Sequence, residues 1–125
     1  MILGTGLDII EIPRIAAAYE KFGARFTRRI LHPAEIEYCE KHARPAPLLA
    51  ARFAAKEAIS KAFGTGIGQE LGWHDLEIRR NPTGAPYVVL HGAGEKLFAA
   101  RNARHLWISL THSAQYAAAT ATLEG

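Results

Sequence analysis

Residues 48–64, LLAARFAAKEAISKAFG, carry more structural information than any other stretch of this chain. The run is rich in alanine and closed by Gly64, so it predicts a helix over Leu48–Phe63 with a glycine C-cap. Place Glu57 at zero on a wheel of 3.6 residues per turn. Phe53, Lys61 and Gly64 then fall within about 40° of it and Ser60 within about 60°. Ala55, Ile59, Ala62 and Phe63 fall on the opposite side. One face is therefore fit for burial, and the other aligns Glu57 and Lys61 one turn apart. On helix geometry alone that pair reads as a solvated i, i+4 ion pair worth about 0.3–0.5 kcal/mol. Its setting, in an alanine-rich helix beside the glycines at 64, 66 and 68, argues against an ordinary solvated ion pair.

Working outward, residues 2–10 read as a short apolar strand. Pro13 suits a first helical turn, so a helix is expected from Ile12 through Phe22, ended by Gly23. Ala24–Leu31 is a second short helical stretch. His32-Pro33 restarts a helix that reaches about Lys41, and the prolines at 45 and 47 interrupt it. Beyond the central helix, Trp73–Arg80 reads as a strand, Asn81-Pro82-Thr83-Gly84 as a turn, and Tyr87–Leu90 as the partner strand. A helix over Ala93–Arg101 follows, then strands over Leu106–Thr111 and Tyr116–Leu123 spaced for a hairpin. The expected fold class is α+β. An antiparallel sheet packs against a long central helix and shorter helices in a single domain over residues 1–125.

The 125 residues and 13.7 kDa suit one domain, and 49% hydrophobic residues against 22% charged ones exclude whole-chain disorder. No apolar run approaches the roughly 18 residues of a spanning helix. The N-terminus lacks a basic lead-in and a small-residue cleavage site, so a signal peptide is rejected and the cytoplasm is expected. A single cysteine, Cys39, excludes an intrachain disulfide, and it reads as a buried small hydrophobe. The net charge is +3, but it is concentrated. Arg14, Lys21, Arg25, Arg28 and Arg29 oppose Glu20 alone, giving that segment a charge of +4. A basic face of this kind implies an anionic partner.

Asp8 is the second oddity. It lies among Leu7, Ile9 and Ile10, where an unpaired carboxylate would cost several kcal/mol. Two readings stand level. Asp8-Ile9-Ile10-Glu11 matches a capping box, although that start would put Pro13 inside the helix. The alternative is a functional carboxylate. Asp8 and Glu57 together suggest a magnesium site, since that ion takes one or two protein carboxylates and fills its other positions with water and phosphate. Lys61 would neutralise a phosphate oxygen, and the trio suits displacement at phosphorus. Gly4-Thr5-Gly6 fails the dinucleotide fingerprint, and Gly64-Thr65-Gly66 lacks the ending of a P-loop. Exposed N–H groups there can still hold a phosphate. His112 lies near the last turn. No two histidines have helical zinc spacing, so a zinc enzyme is not expected.

These residues resemble a family, the holo-[acyl-carrier-protein] synthases, the small type of 4′-phosphopantetheinyl transferase. Gly6-Leu7-Asp8-Ile9 through Arg14 is similar to its G-x-D-x5-R pattern. Arg52-Phe53-Ala54-Ala55-Lys56-Glu57-Ala58 through Gly66 is similar to its R-F-x-x-K-E-A-x-x-K-A-x-G-T-G block. Ile108–Ser113 is a looser third match. The resemblance implies transfer of the phosphopantetheine arm of coenzyme A to a serine of apo acyl carrier protein, with release of adenosine 3′,5′-bisphosphate and service to fatty acid biosynthesis. It implies Asp8 and Glu57 as magnesium ligands and Lys61 on the phosphate or the leaving group. The base is Glu57, His112 or a metal-bound water, with the water favoured. Gly64, Thr65 and Gly66 are expected along the diphosphate, Arg52 at the nucleotide's phosphates, and Asn81, Pro82 and Pro86 on its adenine side. Arg14, Arg25 and Arg28, with Phe26 as an apolar anchor, are expected to dock the acidic carrier. A homotrimer with shared sites is implied as well. Neither a membrane nor a nucleic acid is expected as partner.

Two other classes frame that reading. A small nucleic-acid-binding module would use the basic face, but it leaves Asp8, Glu57 and the glycine loop without a task. A magnesium-dependent phosphoesterase would hydrolyse coenzyme A without needing a carrier.

Overall fold

The computed structural model describes all 125 residues. Strand β1 (Ile2–Glu11) leads directly into helix α1 (Ile12–Phe22), followed by α2 (Ala24–Ile30), α3 (Pro33–Glu40) and the long α4 (Ala46–Phe63). A 3-10 turn at Trp73–Asp75 opens a hairpin of β2 (Leu76–Arg80) and β3 (Pro86–Leu90). Helix α5 (Ala93–Ala100), β4 (His105–His112) and β5 (Tyr116–Glu124) complete the chain. The order strand, helices, two strands, helix, two strands is the one expected, and the fold is α+β.

Local chemistry sets the boundaries. Pro13 occupies the first turn of α1, and Gly23, at φ 53°, ends it with its N–H on the Tyr19 carbonyl. The residue before α1 is Glu11, which makes no side-chain cap. Asp8 lies well inside β1, paired with Ala119, so the capping-box reading is overturned. Helix α4 begins two residues earlier than expected. Pro45 is its N-cap and Pro47 sits in its first turn, where a missing N–H costs nothing, so these prolines start the helix. The strand expected from Trp73 begins only at Leu76, because the Asp75 carboxylate accepts the Gly72 N–H at 2.8 Å and the Ala93 N–H at 3.3 Å. Those bonds curl Trp73–Asp75 into a turn.

The sheet is antiparallel in the order β1-β5-β4, and β2-β3 stands apart as a hairpin. Helix α4 lies across the sheet. Its Ala54, Ala55, Ala58 and Ala62 meet Ala117, Ala119, Ala121 and Leu123 of β5, all buried. Small residues on both sides let helix and sheet approach closely. Gly4 and Gly6 extend that contact along β1: a Cβ on either would collide with the backbone carbonyl of Ala62 or Ala58. These glycines are packing residues, which explains why they match no phosphate loop.

One polar knot lies in the core. Lys56, fully buried, donates to Glu35 Oε1 at 2.9 Å, the Ile30 carbonyl at 2.7 Å and the Trp73 carbonyl at 3.2 Å. Glu35 in turn accepts the N–H groups of His32 and Ile78. Every hydrogen of the ammonium is used, as a buried cation requires. The knot ties α2, α3 and β2 to α4.

Candidate functional site

The close fit of β1 on α4 carries Lys61 to the strand. Its Nζ lies 3.0 Å from Asp8 Oδ1 and donates to the Leu7 carbonyl at 2.9 Å. The expected i, i+4 partner of Lys61 was Glu57, but the ammonium turns to Asp8 instead. Glu57 stands beside them without an ion pair of its own. Burial, then the nearby Asp8 charge, pushes its carboxyl above the usual range, and Lys61 only partly opposes this. The three line one cleft of about 420 Å³ with Arg14, Phe53 and Tyr116. Phe53 and Tyr116 were not singled out from sequence, although Phe53 shares the Glu57 face.

The donor set fits magnesium. Two carboxylates from different elements face one open cleft, and a single monovalent cation serves only one of them. The second carboxylate is held partly buried beside a like charge, a tension that a divalent oxygen-seeking cation relieves.

Of the other expected site residues, only Arg14 lines this cleft. Arg52 is buried and lies elsewhere. Five positions before Glu57 places it about 140° round the helix, so it projects away from the cleft. It lines a second hollow of about 270 Å³ with Tyr38, Arg79, Arg80 and Tyr87, its guanidinium 4.4 Å from the Tyr38 ring centroid. Its Nε and Nη1 are buried without a protein partner. Asn81 organises the adjoining turn, its Oδ1 accepting from the Thr83 N–H, the Thr83 hydroxyl and the Ala85 N–H. Pro82 lies in that exposed turn and Pro86 opens β3.

His112 ends β4 and lines a third hollow with Leu48, Ala51, Arg80 and Thr111. Arg80 borders both this hollow and that of Arg52. Strand β5 separates β4 from β1, with Ile10 and His112 both opposite Ala117. His112 is thus roughly 10 Å across the sheet from β1, at about 4.8 Å per strand. Within one chain it does not join Asp8, Glu57 and Lys61.

Gly64, Thr65 and Gly66 follow Lys61 but are spent on capping. Gly64 N–H donates to the Lys61 carbonyl, and those of Thr65 and Gly66 donate to the Ser60 carbonyl. Backbone donors expected to be free for a phosphate are therefore used. On the basic segment Arg14 enters the cleft, while Arg25 and Arg28 stay exposed on α2. Phe26 is partly buried against the core, whereas Phe22 is 46% exposed, so Phe22 is the more available apolar anchor. Cys39 is fully buried, and burial pushes its thiol up to about 11, as an inert core residue.

Comparison with known proteins names the class this geometry defines. Residues 4–121 match the family model of the 4′-phosphopantetheinyl transferase superfamily. A holo-[acyl-carrier-protein] synthase of Koribacter versatilis is 48% identical over 124 residues, covering 99% of each chain. The crystal structure of the holo-[acyl-carrier-protein] synthase from Neisseria meningitidis superposes with a TM-score of 0.92 at 33% identity, covering all of both chains. That of Helicobacter pylori, in complex with coenzyme A, gives 0.86 at 34% identity over 96% of this chain and 99% of its own. The chain belongs to the holo-[acyl-carrier-protein] synthase family.

Proposed function

We propose that this chain moves 4′-phosphopantetheine from coenzyme A to a serine hydroxyl of apo acyl carrier protein and releases adenosine 3′,5′-bisphosphate. The observation that carries the reading is the meeting of Asp8, Glu57 and Lys61 in one cleft, bordered by Arg14 of the basic segment. Asp8 and Glu57 would hold magnesium, which supplies charge neutralisation at the diphosphate. Lys61, anchored by Asp8 and the Leu7 carbonyl, keeps one N–H for a phosphate oxygen. It offsets the charge that gathers on the departing bisphosphate and can deliver a proton to it. The serine oxygen bonds to the β-phosphorus as the bond from that phosphorus to the bridging oxygen breaks. A water molecule in the open cleft takes the serine proton.

The unpartnered donors of Arg52, with Arg80 alongside, suit the nucleotide's phosphates, and the Asn81–Pro86 turn adjoins them. Gly64, Thr65 and Gly66 border the pantetheine path by surface rather than by backbone donors. Arg14, Arg25 and Arg28 form the docking face for an acidic carrier, with Phe26 behind them. Separation of the Arg52 and His112 hollows from the Asp8 cleft favours a site completed by another copy. The outer face of β1-β5-β4 exposes Leu7, Ile9, Trp107 and Tyr116, an apolar surface suited to self-association in a homotrimer. For His112 to assist the base, that assembly must bring the partner subunit's His112 to the cleft. The work belongs to fatty acid biosynthesis in the cytoplasm; no helix is long and apolar enough to cross a membrane.

The test is mass spectrometry of an apo acyl carrier protein incubated with the chain and coenzyme A, with and without magnesium. One added phosphopantetheine per carrier, dependent on magnesium and lost in Asp8→Ala, is expected. Loss of coenzyme A with an unmodified carrier would instead make the chain a hydrolase. Light scattering is expected to give three times the chain mass, and a monomer would refute the trimer.

A further inference from the structure

Away from the cleft, two histidines gather around one buried carboxylate. His32 precedes α3, Glu77 lies on β2 and His91 follows β3, and one ligand atom of each falls within 4.8 Å of the others. Glu77 is 4% exposed, while His91 is 39% exposed at its side chain, so the cluster opens to solvent on one side. His91 Nε2 lies 2.8 Å from Glu77 Oε1. His32 Nε2 lies 2.8 Å from the His74 carbonyl, which can only accept, so Nε2 carries the hydrogen and the neutral ring keeps its lone pair on Nδ1. His74 is itself fixed, its Nε2 donating to the carbonyls of Arg28 and Leu31. A carbonyl that orients one imidazole nitrogen while the other is left basic is the usual outer support of a metal-binding histidine.

We propose that His32, Glu77 and His91 form a site for a divalent transition metal of the Zn²⁺ class, which clips the start of α3 to the β2-β3 hairpin. Two imidazoles and one carboxylate are a ligand set for zinc and its neighbours, and a poor one for magnesium. At about 2.1 Å from each donor, tetrahedral ligands stand about 3.4 Å apart, so the donor atoms need close by at most about 1.4 Å. Arg79 currently holds Glu77, Nε to Oε2 at 3.0 Å and Nη2 to Oε1 at 3.2 Å. Half-exposed Arg79 can keep Oε2 and release Oε1 to the ion. The ion then replaces the proton on His91 Nε2, which goes to solvent. A fourth position is left for water. The site shares no residue with the magnesium cleft. Its residues come from three separate elements, which is why histidine spacing along the chain gives no hint of it.

The experiment is a Zn²⁺ titration of the full-length, chelator-stripped protein against a chromophoric competitor, with thermal melting in parallel. It is done in the wild type and in an Asp8→Asn/Glu57→Gln background, where the cleft cannot compete for zinc. One ion per chain is expected in the cleft-disabled background and at least one in the wild type, with a rise in Tm. His32→Ala and His91→Ala should each weaken binding about tenfold or more and abolish the rise. His42→Ala, at the far end of α3, should change nothing. His91→Gln, a milder change, keeps the test valid if His91→Ala does not fold. Absence of zinc binding by the folded protein would overturn the proposal. So would binding that survives both histidine changes, or that vanishes in the cleft background.

Discussion

Lys56 and Lys61 stand on the same helix, and each meets a carboxylate at nearly the same distance, 2.9 Å to Glu35 and 3.0 Å to Asp8. Their surroundings separate them. The Lys56–Glu35 side chains are 0% and 1% exposed, and every donor and acceptor there is matched by protein. The Lys61–Asp8 side chains are 49% and 17% exposed, in a cleft with a second, unpaired carboxylate. A closed, saturated pair fixes architecture. An open pair with spare hydrogen-bonding capacity and surplus negative charge is available to a ligand. Bond length does not distinguish the two; solvent access and unspent valence do.

The sharpest way to break this contrast is at the closed pair. Lys56→Met is expected to destabilise the fold by about 3–5 kcal/mol, because Glu35 keeps its buried charge and loses its cation. Urea denaturation measures this, and a loss below about 1 kcal/mol would show that the knot is not structural. At the open pair the effects exchange places. Asp8→Ala should cost less than about 1 kcal/mol of stability, since Lys61 returns to water. Its transfer activity should nevertheless fall by about 10²–10³-fold. Carrier modification followed by mass spectrometry reads the second number, and unchanged turnover would remove Asp8 from the site.

Further from the reacting centre, Arg25→Glu on exposed α2 should raise KM for the carrier about tenfold at low salt with little change in kcat. An unchanged KM would place the docking face elsewhere. The smallest effect concerns Glu57. Its carboxyl is raised by burial first and by Asp8 second, so the folded state accommodates the protonated form and is penalised as pH rises through the folded pKa. Glu57→Gln should therefore match the wild type in Tm at acid pH and melt slightly higher at neutral pH. Magnesium should raise Tm in the wild type but not in this variant. Identical pH profiles would mean that Glu57 is not strained by its neighbours.

Much of this was legible in the residues because it depends on local order. The proline at 13, the glycines at 23 and 64 and the alanine-rich run 48–63 each act within a turn or two, and the helices end where the glycines predict, although α4 starts two residues earlier, at Ala46. The alignment of Glu57 with Lys61 also follows from helical pitch. The same wheel, applied five residues back, would have turned Arg52 away from the cleft. Strand β2 starts at Leu76 and not at Trp73 because the Asp75 carboxylate reaches forward to Ala93, a bond no window around Trp73 contains. The half-burial of Phe26 and the exposure of Phe22 are not written in residue type, since both are phenylalanines on the same basic segment.

By itself, then, the sequence determined the periodic elements, the α+β class and the family motifs that single out Asp8, Glu57 and Lys61. Only the tertiary structure decided that Lys61 pairs with Asp8 and not with Glu57. It also decided that Lys56 serves the core, that Gly4 and Gly6 are there for close packing, and that His112 lies across β5 from the cleft. Helix pitch and turn chemistry are set by neighbours along the chain. Pairing, burial and unspent charge are set by which distant segments meet, and that depends on how closely β1 and β5 let α4 approach.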